Sequence, residues 1–106
     1  TRILIVGVPV PRAIENVDGD GEFTVSWSSV PGTVGYELQE QFDFGEWNLV
    51  HQGSDNNADR TVYMVGNWCY RVRALDYFSY GNWSNTVCTF ADSVNHLIFM
   101  PAILKQ

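Results

Sequence analysis

The stretch NWCYRVRALDYFSYGNWSN, residues 67–85, decides the fold because it contains one strand, a turn and the start of a returning strand. In its first half the apolar residues Tyr70, Val72 and Ala74 alternate with two arginines. An alternation of period two puts the apolar set on one face of a strand and the charged set on the other. A segment with Asp, Ser and Gly follows, and such residues form turns. The stretch therefore predicts a β-hairpin with one buried face.

The register of this hairpin places the two cysteines of the chain opposite each other. A turn through DYFSYG sets Ala74 near Trp83, Tyr70 near Val87 and Cys69 near Cys88. The two cysteines then lie on the outer face, at a separation suited to a disulfide. We predict a Cys69–Cys88 disulfide, and with it maturation in an oxidising compartment, secreted or at the cell surface.

The rest of the chain repeats the alternating pattern in short runs separated by Gly, Pro, Asn and Asp. No segment predicts a helix. Seven strands are predicted: AIENV (13–17), EFTVSW (22–27), YELQE (36–40), EWNLVHQ (46–52), RTVYMV (60–65), CYRVRAL (69–75) and WSNTVCTF (83–90). Short strands at this spacing are typical of an all-β sandwich of two sheets with Greek-key connections. The predicted core residues are Trp27, at its centre, with Tyr36, Leu38, Tyr70 and Val72.

The order of these elements resembles a fibronectin type III domain over residues 11–91. The resemblance is carried by a Pro-led first strand, Trp27 at the end of FTVSW, the strand GYELQE, and YRVRA followed by a hairpin and WSN. It implies a seven-stranded immunoglobulin-like sandwich, of the kind found in bacterial secreted modules. It also implies that Met64, six positions before Tyr70, packs beneath that tyrosine. Gly66 and Trp68 depart from the Pro and Thr of this corner in the family.

Composition excludes several classes of function. One domain is expected from 106 residues, and a net charge of −6 argues against nucleic acid, which requires a basic face. No apolar run approaches the roughly 20 residues of a membrane span. Two Cys and two His do not make a zinc site. NVDGDG (16–21) begins like a calcium loop, but Trp27 stands where the closing Glu is needed. We therefore expect no metal, no cofactor and no catalytic site.

The outward arginines predict a polar ladder on one sheet. Arg71 and Arg73 face Glu37 and Gln39 of the neighbouring strand. They could also stack under an aromatic side chain such as Trp83 or Tyr80. The run YGNWS is similar to half of the Trp-Ser signature of cytokine-receptor modules. Trp83 is left with three readings: stacking on the arginines, which needs a bulge near Asn82, placement in the core, or ligand contact.

Three aromatic residues lie at the predicted hairpin tip, Tyr77, Phe78 and Tyr80. Small polar residues would suffice in a tip, so we regard these three as candidate ligand-binding residues. The expected function is a non-catalytic spacer or docking module of a larger secreted or surface protein. Its partners would be neighbouring domains or a second copy. The alternative is a carbohydrate- or protein-binding module that uses this tip.

The two ends of the chain fall outside the resemblance. Residues 1–10 and 92–106 are both rich in apolar residues and contain Pro9 and Pro101, which favour extended chain over helix. The tail is similar to short apolar ends of some bacterial secreted proteins. We expect the two segments to pack on the sandwich, on each other, on a second copy or on a preceding domain, because a monomer seldom leaves so much apolar surface in water.

Overall fold

The computed structural model describes residues 7–16 and 19–92, and all the regular structure in them is β. Six strands form: β1 (Glu22–Ser26), β2 (Gly35–Phe42), β3 (Trp47–Gly53), β4 (Asn57–Thr61), β5 (Gly66–Leu75) and β6 (Val87–Ala91). They build two antiparallel sheets, one in the order β1-β4 and one in the order β3-β2-β5-β6. No helix capable of crossing a membrane occurs in this part of the chain.

The core lies between the inner faces of the two sheets. The period-two pattern of β2 and β5 turns Tyr36, Leu38, Tyr70 and Val72 inward, and each is at most 4% exposed. Trp27, just after β1, is fully buried and meets the Tyr36 ring edge-on at 5.8 Å. Edge-to-face packing of this kind adds to the apolar burial of both rings.

A partly buried ion pair joins the two sheets, with the side chains of Arg60 and Glu40 23% and 11% exposed. Glu40 of β2 faces inward and receives two hydrogen bonds from Arg60 of β4, at 2.9 and 3.2 Å. The hydroxyl of Tyr70 in β5 donates a third bond to Glu40, at 2.7 Å. Burial and the Glu40 carboxylate raise the pKa of Tyr70 far above that of a free tyrosine. Burial alone would lower the pKa of Arg60, but its bonds and charge contact with Glu40 outweigh that effect and raise it.

The prediction of a first strand at residues 13–17 is wrong for its described part, because residues 13–16 lie in no strand. Pairing with β1 is limited to a single bridge between Pro11 and Trp27. It is held by bonds from Arg12 N to Ser26 O at 2.9 Å and from Ser28 N to Val10 O at 3.0 Å. Pro11 is tolerated there because its position needs no N–H. The described residues thus hold six strands rather than seven.

The strand predicted at residues 60–65 lies earlier in the chain, where it forms β4 (Asn57–Thr61). Its inward positions are Ala58 and Arg60, and the charged Arg60 conceals the alternation that would identify the strand. The apolar residues that suggested a strand lie beyond it. Met64 is 52% exposed, so the prediction that it packs beneath Tyr70 is wrong. Val62 is 2% exposed and joins the core instead.

The β5–β6 hairpin has the predicted register at its base. Tyr70 pairs with Val87 and Cys69 pairs with Cys88, and the two cysteines form the predicted disulfide. Nearer the tip the register changes, because Leu75 bridges to Tyr80 rather than to Asn82. Two extra residues are therefore absorbed between the tip and β6, which is the irregularity that stacking of Trp83 requires.

Candidate functional site

The hairpin tip is held by the side chain of Asp76. One of its carboxylate oxygens accepts hydrogen bonds from the backbone N–H of Phe78 at 2.8 Å and of Ser79 at 2.7 Å. The N–H of Asp76 donates in return to the carbonyl of Ser79 at 2.9 Å. An aspartate that satisfies its own turn in this way fixes the backbone of the tip. The aromatic side chains that the tip carries are thus presented from an ordered turn.

All three predicted tip aromatics are exposed, Tyr80 the least of them at 63%. Tyr77 is 83% exposed and Phe78 is 78% exposed. The loop of residues 27–34 lies at the same end, where Val34 N donates to the carbonyl of Leu75 at 2.8 Å and the Thr33 hydroxyl contacts the same carbonyl. Val34 itself is 42% exposed. This end of the sandwich therefore offers apolar surface on a firm base.

Tyr80 instead belongs to a stack of alternating aromatic rings and arginines on the outer face of the four-stranded sheet. The guanidinium of Arg73 lies 3.8 Å from the centre of the Tyr80 ring and 4.3 Å from that of Trp83. The guanidinium of Arg71 lies 4.4 Å from both Trp83 and Trp47. We call this set, Trp47, Arg71, Trp83, Arg73 and Tyr80, the outer stack. It confirms the stacking reading of Trp83.

Hydrogen bonds fix the edges of the two arginines in the outer stack. Arg71 donates twice to Gln39, at 2.9 and 2.7 Å, and Arg73 pairs with Glu37 at 2.7 Å. This is the predicted ladder. Burial and the neighbouring charge of Arg73 lower the pKa of Arg71. An arginine keeps its proton even so, because the reference pKa of its guanidinium is so high.

Ser84 explains how Trp83 reaches the outer face. Its hydroxyl accepts a bond from Val72 N at 3.0 Å, and its N–H donates to the carbonyl of Val72 at 2.9 Å. A side-chain oxygen thus occupies a place that a ladder carbonyl would normally fill. Strict alternation is broken at this point, and the ring of Trp83 turns outward onto the arginines.

Sequence reasoning missed two of these features. Trp47 was not assigned to the outer stack, although its position opposite Gln41 in β3 would put it on the outward face. The buried carboxylate of Glu40 was also missed. Its even-numbered place in β2, two residues after Leu38, was the available signal.

The opposite end of the sandwich has apolar exposure of its own. Phe44 is 83% exposed in the β2–β3 turn, where both Asp43 and Phe44 have positive φ, 47° and 63°. A bulky residue in that conformation is unfavourable, and glycine is usual there. In the adjoining β4–β5 loop Met64 and Val65 are 52% and 53% exposed.

No cluster of three or more metal-ligating side chains occurs among residues 7–16 and 19–92. His51 lies edge-on to the ring of Trp27, with the ring centres 6.0 Å apart. His96 and most of the terminal apolar residues fall outside the described residues. The proposed division at residues 10 and 92 therefore remains a prediction.

Comparison of the whole chain with known proteins identifies the fold but not a close relative. No protein-family profile matches it, and no curated protein matches it. Among solved structures, an Fn3-like protein from Clostridium thermocellum superposes with a TM-score of 0.66 at 16% identity, over 80% of this chain and 92% of that one. The fibronectin type III domain of human fibronectin type III domain containing protein 3 gives 0.68 at 14% identity, over 88% and 92%.

A third similar structure is the kinase region of twitchin from C. elegans, with a TM-score of 0.65 at 16% identity. The match covers 80% of this chain but 16% of that one, because the twitchin region also includes kinase and immunoglobulin parts. The same fold thus occurs as one module among others in a longer protein.

Proposed function

From the fibronectin type III fold of this chain, we propose that it is a non-catalytic module of a larger secreted or surface protein and that it docks a neighbouring domain through its hairpin tip. Domains of this fold are generally non-catalytic modules. The disulfide supports an oxidising environment. Function in such a module is carried by surfaces rather than by a reactive centre.

The observation that carries the proposal is the exposure of Tyr77 and Phe78 on a turn fixed by Asp76. Large aromatic side chains on a rigid turn lose little conformational entropy when they are covered, so they contribute strongly to binding. Tyr80 does not share this role, because one face of its ring is already covered by Arg73. The docking contact is therefore centred on Tyr77 and Phe78, with Val34 beside them.

The test compares the isolated chain with the longer natural polypeptide that adds the adjoining domain. In the longer protein we expect slower amide exchange in residues 76–81 and joint tumbling of the two domains by NMR relaxation. The variant Tyr77→Ser/Phe78→Ser should release the domains from each other while leaving the sandwich folded. Phe44→Ser is the matched control, since it removes an equally exposed aromatic from the other end.

Equal exchange of the tip in both proteins, with no effect of the double variant, would refute the docking role. Binding of a soluble oligosaccharide at Tyr77 and Phe78, observed as chemical-shift changes confined to the tip, would refute it in favour of the carbohydrate-binding alternative.

A further inference from the structure

The outer edge of β1 is left open by the segment before it. Bonds join the two at Arg12 and Val10, beside the Pro11–Trp27 bridge, and end there. The chain then crosses toward the other sheet, where the amide of Asn16 donates to the hydroxyl of Thr89 at 3.3 Å. Within the described residues, no backbone bond joins residues 13–16 to β1. Among residues 7–16 and 19–92, most of the length of β1 therefore has no backbone partner on this side.

The backbone groups on this side belong to the even-numbered residues of β1. Bonds from Trp27 N to Asn56 O and from Val62 N to Gly21 O show that the odd-numbered residues face β4. The N–H and C=O of Thr24 and the N–H of Ser26 point the other way. Across residues 7–16 and 19–92 these three groups have no protein partner. Two donors and one acceptor are thus available along the edge.

A groove of about 670 Å³ runs along this edge. Its walls come from the departing segment and from β1: Arg12, Ala13, Glu15, Phe23, Thr24 and Ser26. A strand rises about 3.3 Å per residue, so the edge from Glu22 to Val25, beyond the Arg12–Ser26 bond, can pair with about four residues of an extended peptide.

The charges around the groove are mainly acidic. Glu15 lines the groove and Glu22 lies at the edge of β1, and both are exposed. Asp59 of β4, on the other side of β1, accepts a hydrogen bond from the Thr24 hydroxyl at 2.7 Å. The guanidinium of Arg12 is held at the closed end by the carbonyl of Trp27, at 3.2 Å. Phe23 supplies the apolar surface on the inner side of the groove. The outward side chains of an extended peptide bound here would contact carboxylates, and an inward side chain would contact Phe23.

We propose that this open edge of β1 binds an extended, basic segment of a partner protein by strand addition. The bound segment pairs its backbone with Thr24 and Ser26 and places Lys or Arg at alternate positions, toward Glu15 and Glu22. Backbone pairing provides affinity in such complexes, and alternate side chains provide specificity. This surface is distinct from the aromatic hairpin tip.

The probe is the peptide acetyl-TKVKVKT-amide, titrated into the full chain to about 1 mM and followed by NMR. We expect shifts and slowed exchange of the Thr24 and Ser26 amides. A peptide of the same sequence with alternate backbone nitrogens methylated, and a peptide with Glu in place of Lys, should each bind at least about tenfold more weakly. Unmoved Thr24 and Ser26 amides, or equal binding of the methylated peptide, would overturn the proposal.

Two variants test the residues themselves. Thr24→Pro removes the outward N–H without touching the bonds to β4 and should abolish binding. Glu15→Lys/Glu22→Lys should weaken binding about tenfold, whereas Glu46→Lys/Asp55→Lys, an equal change at exposed sites elsewhere, should not. A concentration-dependent dimer that protects the Thr24 amide without peptide would show instead that the edge is an interface between copies. Protection by residues 1–6 or 93–106, lost when they are deleted, would show that the chain covers its own edge.

Discussion

Among single residues, Glu40 has the most demanding environment. Glu40 is 9% exposed, and its carboxylate pairs with Arg60 and accepts a hydrogen bond from the hydroxyl of Tyr70. A buried charge pair is costly to form, and removal of one partner leaves the other uncompensated. The three residues come from β2, β4 and β5, so the network also fixes how the two sheets face each other.

Glu40→Gln should lower the free energy of unfolding by about 2 kcal/mol, because Arg60, whose side chain is 23% exposed, is left with only water to balance its charge. The double variant Glu40→Gln/Arg60→Met should recover a large part of that loss, since no buried charge remains. Urea unfolding of the three proteins measures both values. A loss below about 1 kcal/mol in the single variant would mean that water compensates Arg60.

Tyr70 should make stability depend on pH in the alkaline range. Its pKa is raised on folding, mainly by burial and then by Glu40, so the folded state retains a proton that the unfolded state loses above about pH 10. Stability is then full below pH 10 and falls as the pH rises beyond it. Above about pH 10, the free energy of unfolding should fall more steeply with pH in the wild type than in Tyr70→Phe. A slope of equal size in both proteins would assign the dependence to other groups.

Trp27→Ala should cost about 3 to 5 kcal/mol, as truncations of large buried aromatics do. Trp27 is fully buried at the junction of β1 with the first segment, against Tyr36 and His51. Denaturant unfolding provides the measurement. A shift of less than about 1 kcal/mol would contradict the central place of Trp27 in the core.

At the scale of elements, the outer stack covers part of the outer face of the four-stranded sheet, on which Leu49 and Phe90 are also exposed. Each arginine lies between two rings while its edge is bonded to Gln39 or Glu37. The planar guanidinium serves both contacts at once, which an ammonium group cannot do. The stack links β3, β5 and the segment before β6, and so restrains the hairpin that carries the tip.

Arg71→Lys should therefore destabilise the protein by about 1 to 2 kcal/mol although it keeps the charge, since two ring contacts and two bonds to Gln39 are lost. Arg12→Lys is the matched control. Arg12 is exposed and makes one long bond, at 3.2 Å, so its replacement should cost less than about 0.5 kcal/mol. Equal losses in the two variants would show that stacking contributes nothing measurable.

The hairpin also shows how far local patterns reveal structure. Its base could be predicted because YRVRA alternates cleanly and the cysteines fix the register. The register at the tip could not be predicted, because the hydroxyl of Ser84 takes the place of a backbone acceptor. The pairing there is shifted by two residues. Trp47 was missed for a related reason. The β2–β3 register shifts between Leu38 and Gln39, and such irregularities leave no periodic trace.

Reduction of the Cys69–Cys88 disulfide should lower stability by about 3 kcal/mol, given the separation of 19 residues. Denaturant unfolding with and without reductant measures the loss, and Cys69→Ser/Cys88→Ser should be insensitive to reductant. Thiol titration of the denatured, non-reduced protein should detect no free thiol. Two free thiols would contradict both the disulfide and the oxidising compartment inferred from it.

At the scale of the whole molecule, both ends of the sandwich carry exposed apolar side chains, and Leu49 and Phe90 are exposed between them. Tyr77, Phe78 and Val34 lie at one end, and Phe44, Met64 and Val65 at the other. Val10, beside the first bridge, is 60% exposed at the end that carries the tip. Strand β6 ends at Ala91, and Asp92 N then donates to the carbonyl of Gly19 at the end that carries Phe44. Val10 and Asp92, the described residues next to the two terminal segments, thus lie at opposite ends of the sandwich.

Deletion of residues 1–8 and 95–106 should lower the melting temperature or abolish an oligomer. The deleted sequence includes Ile3, Ile5, Leu97, Ile98 and Phe99, and cover for so many apolar residues has to come from the sandwich, from each other or from a second copy. Separate deletions distinguish the two ends. Loss of the N-terminal segment should affect the environment of Val30, against which Gly7 lies closely enough that an added methyl group would clash. Thermal unfolding and sedimentation of the full and shortened chains provide the measurements. An unchanged melting temperature together with an unchanged mass in solution would show that the segments act only as linkers.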